Sequence, residues 1–130
     1  MNRIGFALLL LFFSHIALAE PLYQGMAAYN SGEYAKAMQI LQPLAEKGDP
    51  DAQYYVGTLY ADGLGVKQDM AKGLDLLEKS VKNKNRNAAI FLGKMYLSGR
   101  GVPLDTKKGT EYMELSAKLK SEMDDDEECD

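Results

Sequence analysis

Cysteine and histidine are nearly missing from this 130-residue chain, which has one of each. The lone Cys129 excludes a disulfide framework, so the fold must be held by packing. His15 falls in an apolar N-terminal stretch, which leaves the rest without the commonest general base and metal ligand. No Gly-x-Ser-x-Gly, phosphate loop or metal-ligand spacing occurs either. No catalytic residue, metal site or cofactor is therefore expected. Long hydrophobic runs are lacking too. The longest, Ile4 to Phe13, is shorter than the roughly 20 residues a membrane helix needs. With Arg3 before it and Ala17-Leu18-Ala19 after it, residues 1–19 read as a secretory signal peptide cut after Ala19. An uncleaved anchor is the competing reading. The absence of a cysteine after that site argues against a lipoprotein. A periplasmic or secreted protein with no membrane span after cleavage is expected, with about one domain's worth of chain.

The net charge of −4 is unevenly spread. Residues 20–120 carry 14 basic and 12 acidic side chains, whereas Asp124 to Glu128 is unbroken acid, followed by Cys129 and Asp130. Like charges repel, so residues 121–130 are expected to form a disordered tail. The tail lacks the glycine and spaced ligands of a calcium loop, and a solvated segment is its plain reading. Cys129 reads as an incidental thiol or an intermolecular link. The basic turn Lys82 to Arg86 has no interleaved aromatic residue and competes with the tail, so nucleic acid is not an expected partner.

What the chain does have is an internal repeat. Gly57, Tyr60, Gly63, Gly65, Val66, Asp69 and Lys72 return as Gly93, Tyr96, Gly99, Gly101, Val102, Asp105 and Lys108, each 36 residues later. A fixed period of this size signals a repeat architecture. Gly63 and Gly99 follow helical pattern, where glycine ends a helix in the left-handed region without a Cβ clash. The second glycine of each Gly-x-Gly permits close approach, and Val66 and Val102 tuck beneath the loop. Asp69 and Asp105 stand where a carboxylate accepts from free N–H groups of the next helix. Gly57 and Gly93 fall inside helical pattern at a cost of about 1 kcal/mol each against alanine, which close helix approach explains.

Leu59-Tyr60 and Met95-Tyr96, the Gly-x-Gly-Val runs at 63–66 and 99–102, and the Asp–Lys pairs 69/72 and 105/108 together resemble the Sel-1-like repeats, relatives of the tetratricopeptide repeats. The resemblance implies antiparallel helix pairs stacked into a right-handed superhelix, used as a scaffold for protein contacts, with the first helix of each pair lining the concave face. Two departures stand out. Leu76 and Tyr112 lie in the region where the family often has tryptophan. Gly73 and Gly109 replace the usual alanine, which predicts a weaker first turn in the second helices.

The expected fold is all-α, a short right-handed α–α solenoid of about three helix pairs. Residues 20–48 form a divergent first pair, and 49–84 and 85–120 form two Sel-1-like repeats. Helices are predicted at 20–31, 33–47, 51–62, 69–81, 87–98 and 105–123, with Asp49 capping the third and Pro43 bending the second. Ala35-Lys36 and Ile40-Leu41 keep the 36-residue register, whereas Tyr29 precedes Tyr60 by only 31. Tyr60 and Tyr96 are assigned to the core. With Ala52, Val56, Leu59 and Tyr60 inward, a helix wheel turns Tyr54 and Thr58 outward. Tyr23, Tyr54 and Ile90 then form an apolar track along the groove, with Asn30, Thr58 and Lys94 as polar neighbours. Packing of Tyr23 and Tyr54 against neighbouring units is the alternative.

The reading is a non-enzymatic module of the bacterial cell envelope that binds a protein or peptide. Its alternatives are a hydrolase acting on cell-wall fragments or related amides, which the resemblance alone suggests, and an immunity or adaptor protein for a secreted effector. Self-association through an exposed solenoid end is a further expectation, because terminal units normally need a polar outer face.

Overall fold

The computed structural model describes residues 19–127; the residues before Ala19, read above as a signal peptide, and Cys129 lie outside them. Among the described residues the chain forms six helices and no strand: α1 (19–30), α2 (Tyr34–Glu46), α3 (Pro50–Asp62), α4 (Met70–Lys82), α5 (Arg86–Ser98) and α6 (Thr106–Glu127). They pair as α1–α2, α3–α4 and α5–α6, and the pairs stack as a solenoid.

Local chemistry sets the helix boundaries, and it repeats. Asp49 accepts from Ala52 N at 2.8 Å and Asn85 from Ala88 N at 2.9 Å, opening α3 and α5. Asp69 accepts from Lys72 N at 3.1 Å and Asp105 from Lys108 N at 2.9 Å, opening α4 and α6. Each cap satisfies an orphan donor of the first turn. α3 and α5 end at Gly63 and Gly99, at φ +66° and +68°. The next glycines, Gly65 and Gly101, face the preceding pair. A Cβ on Gly65 would come 2.6 Å from the Ala35 nitrogen, and one on Gly101 would overlap Met70. The inter-helix loop of each unit thus rests on the first turn of the second helix one unit upstream.

The glycines inside the helices mark crossings. A Cβ on Gly73 would lie 2.8 Å from both Gly57 O and Ala61 N, and one on Gly57 would lie 3.2 Å from Gly73 O. Gly93 and Gly109 repeat this, at 3.2 Å and 3.0 Å from each other's carbonyl oxygens. Gly73 and Gly109 are therefore contact points for the partner helix, beyond any effect on their own first turn.

Two apolar clusters follow from the stacking. One gathers Ala37, Leu41, Val56 and Leu59 between the first and second pairs; the other gathers Leu77, Ala88, Leu92, Met95 and Tyr96 between the second and third. Tyr96 is buried and Tyr60 half-buried against the first cluster. Their rings carry Lys108 and Lys72, whose Nζ atoms sit 4.3 and 4.5 Å from the ring centroids. The Lys108 amine also donates to the Tyr96 hydroxyl at 2.9 Å, which raises its pKa.

The buried side chains of Ser80, Gln53 and Asn85 tie the second pair together and to both of its neighbours. The Pro50 carbonyl accepts from Ser80 Oγ at 2.7 Å and Asn85 Nδ2 at 3.3 Å, and Asn85 Nδ2 also donates to Asp51 Oδ1 at 2.8 Å. Gln53 accepts from Asn83 Nδ2 at 3.1 Å and donates to the Ala45 carbonyl at 3.3 Å.

The last helix departs from the sequence reading. α6 runs to Glu127, past the expected end at Met123 and into the segment 121–130 expected to be disordered. Extending an existing helix adds one hydrogen bond for each residue fixed. That gain prevails here over the unfavourable position of carboxylates at a helix C-terminus.

Candidate functional site

The first helices of the three pairs carry aromatic side chains in edge-to-face contact. Tyr29 of α1 meets Tyr55 of α3 at a centroid distance of 4.8 Å. Tyr55 meets its neighbour Tyr54 at 5.0 Å, and Tyr54 meets Phe91 of α5 at 6.3 Å. Tyr34, at the start of α2, closes on Tyr29 at 5.6 Å. These are favourable ring-pair geometries. All five rings are half-buried, so the row crosses every unit and keeps part of each ring exposed. Burial raises the pKa of Tyr54, reinforced by Tyr29 and Tyr55. Burial also raises that of Tyr55, reinforced by Asp51 and then Tyr29. The phenols of Tyr54 and Tyr55 therefore stay neutral through the physiological range and act as hydrogen-bonding, apolar-bodied groups.

Of the track read from the sequence, Tyr54 belongs to this row and packs against the next unit through Phe91. Tyr23 is 73% exposed on α1 and Asn30 is exposed at its end, both outside the ring contacts. Ile90 is half-buried and Lys94 exposed on α5. Thr58 corrects the wheel. It is fully buried, donating to the Tyr55 carbonyl at 2.7 Å and lying 3.2 Å from the Tyr29 hydroxyl. A helix wheel assumes one inward face. α3 has neighbours on several sides, so a position opposite the main stripe is covered as well. Tyr29, Tyr34, Tyr55 and Phe91 are row members outside the track read from the sequence, and of these Tyr55 and Phe91 are related by the repeat. Their 36-residue spacing, aromatic at both ends, was the available signal.

At the α5 end the row opens into a pocket of about 340 Å³ lined by Phe91, Lys94, Met95, Leu97, Ser98 and Arg100. Its charged lining residues are both cationic. Arg100 is pinned by donating from Nη2 to Asp62 Oδ1 at 2.6 Å, and its side chain stays 65% exposed. The row and pocket offer apolar area, hydroxyls and positive charge, which is the equipment of a binding surface.

The sequence profile described as "Sel1 repeat" matches residues 50–85 and 86–121, more than half the chain. The chain belongs to the Sel1 repeat family. Repeats of this family generally form non-catalytic scaffolds and typically mediate protein–protein interaction. Among solved structures, the Sel1 repeat protein from Oxalobacter formigenes aligns with a TM-score of 0.66 at 25% identity, over 74% of this chain and 40% of that one. The protein c5321, a protective antigen of uropathogenic Escherichia coli with an SLR fold, aligns with a TM-score of 0.67 at 26% identity, over 81% of this chain and 23% of that one. The chain thus spans less than half the length of either. No curated protein matches the sequence.

Proposed function

We propose that this Sel1 repeat chain is a non-enzymatic binding module that holds a protein or peptide segment along the aromatic row of its first helices. The observation that carries the reading is the continuous, half-exposed row from Tyr29 through Tyr55 and Tyr54 to Phe91. Amphipathic rings with few rotatable bonds are the residue type enriched where proteins meet, because they bury large area at small entropic cost. The family's usual role in protein contacts supports the same reading. The signal-peptide pattern of residues 1–19 supports export to the periplasm or beyond, and none of the described helices is long and apolar enough to cross a membrane.

Panning a displayed random-peptide library against the full chain tests the binding role. Selected peptides are expected to lose binding to a Tyr55→Ala/Phe91→Ala variant whose helical content and cooperative melting are kept. Peptides that bind the variant equally well would place the binding surface elsewhere. Export is tested separately, by recovery of a C-terminally tagged chain in the periplasmic fraction with its mass reduced by the leader.

A further inference from the structure

The 36-residue interval allows the pocket at the α5 end to be compared with the same place one unit earlier. Tyr55 becomes Phe91, Thr58 becomes Lys94, Ala61 becomes Leu97, Asp62 becomes Ser98 and Leu64 becomes Arg100. The changes run in one direction. One carboxylate is removed, two cations are added, and the apolar side chain at the floor is enlarged.

In the second unit this place lies between α4, which covers Ala61 at Gly73, and the third unit, which faces it across a cavity. Ala61 is 1% exposed, and Arg100 and Gly101 share a cavity wall with Ala61, Asp62 and Leu64. In the third unit Leu97 is 41% exposed, and Leu104, the counterpart of Gln68, is 65% exposed. A terminal unit normally becomes more polar on its outer face. The positions corresponding to Met70 and Leu74 follow that rule, as the exposed Thr106 and Thr110. Leu97 and Leu104 break it. The helix-stacking surface is therefore finished with threonines, while the loop edge beside the pocket is left apolar and cationic. That combination fits a single docked segment better than a further helix pair.

We propose that this pocket takes an apolar side chain flanked by carboxylates, so that the partner segment is acidic. Phe91 and Leu97 receive the apolar group, Lys94 meets its acidic neighbours, and Arg100, already paired with Asp62, adds a partly compensated cation. The proposal rests on the reading that the aromatic row holds a peptide, and it fixes the charge of that peptide. Charge complementarity of this kind sets partner choice and salt dependence. The chain's own Met123 and the acids after it share this chemistry. In the same copy, however, Met123 lies by the turn at 83–87, at the opposite end of α5 from Leu97 and Ser98. A tail could reach the pocket only from a second copy.

The test is fluorescence anisotropy with the full chain and three labelled synthetic peptides. One has a Leu-Phe pair flanked by aspartates, one has the same pair flanked by lysines, and one has aspartates around a Ser-Ser pair. The first is expected to bind at least about tenfold more tightly than either other, and to weaken as salt rises. A Lys94→Glu/Ser98→Asp variant, changed only at exposed positions, is expected to lose that preference while it still melts cooperatively. Equal affinity for the aspartate and lysine peptides, no binding of any, or an unaltered preference in the variant would overturn the proposal. So would light scattering that shows a dimer abolished by deleting residues 124–130, because the occupant would then be a second copy. Library peptides that depend on Tyr55 and Phe91 yet carry no excess of acid would sink this inference and leave the binding role standing.

Discussion

Gly73→Ala separates two physical arguments that give opposite signs. Helix propensity alone makes alanine the better residue by about 1 kcal/mol. In the structure the added methyl would sit 2.8 Å from Gly57 O and Ala61 N, short of the 3.4 Å where ordinary contact begins. Both obstacles are backbone atoms of α3, so no rotamer change relieves them and the helices must separate. That separation opens the contact beneath Leu59 and Leu77, which are fully buried. Overpacking of this kind costs about 1–3 kcal/mol. After the propensity gain, the net loss is about 1 kcal/mol or somewhat more, a fall in Tm of about 4–8 °C in a domain of this size. Urea unfolding followed by circular dichroism, with the midpoint shift read at constant m, measures it. Gly57→Ala is the internal comparison. Its methyl meets chiefly the Leu77 side chain, at 2.9 Å, with the nearest backbone atom at 3.2 Å. Its loss should be smaller than that of Gly73→Ala. A Gly73→Ala protein stabilised by about 1 kcal/mol, the propensity value, would refute the close-crossing argument.

Three further outcomes are expected. Asn85→Ala removes an N-cap and the amide that holds Pro50 and Asp51, so it should cost about 2 kcal/mol in the same unfolding assay. Lys84 has φ +65° at the position equivalent to Gly48, whose φ is +94°. Lys84→Gly should therefore leave the turn intact and raise stability by up to about 1 kcal/mol, because a left-handed residue with a Cβ is strained. Asp51 has a raised pKa, first through burial and then through the charge of Asp49, with the Asn85 hydrogen bond opposing. Below about pH 4 both folded and unfolded chains keep this proton, and as pH climbs through the raised value the folded chain alone must give up a favoured proton, so stability falls. Asp51→Asn keeps an acceptor for Asn85 and should be more stable than the parent at pH 7. The side chain is only partly buried, so the gain is under about 1 kcal/mol, and it should vanish toward pH 3. Unfolding curves of both proteins at the two pH values check the sign.

The sequence by itself determined the features that depend on one or two residues and their immediate backbone. The period of 36, the caps at Asp49, Asp69 and Asp105, and the left-handed glycines at 63 and 99 are local demands of hydrogen bonding and φ, and local pattern reveals them. Asn85 and Lys84 were legible in principle, since they occupy the register positions of Asp49 and Gly48. They were missed because neither residue type advertises its role as strongly as the residue it replaces. Tertiary structure alone decided exposure and contact across units. Thr58 is covered because Tyr29 comes from another helix to lie beside its hydroxyl. Tyr55 and Phe91 join the row because stacking brings the first helices together. Gly73 turns from a flaw in its own helix into a crossing point because α3 passes over it. Burial sums neighbours from every direction, and a solenoid draws those neighbours from units one period away, so a single helix wheel cannot supply them.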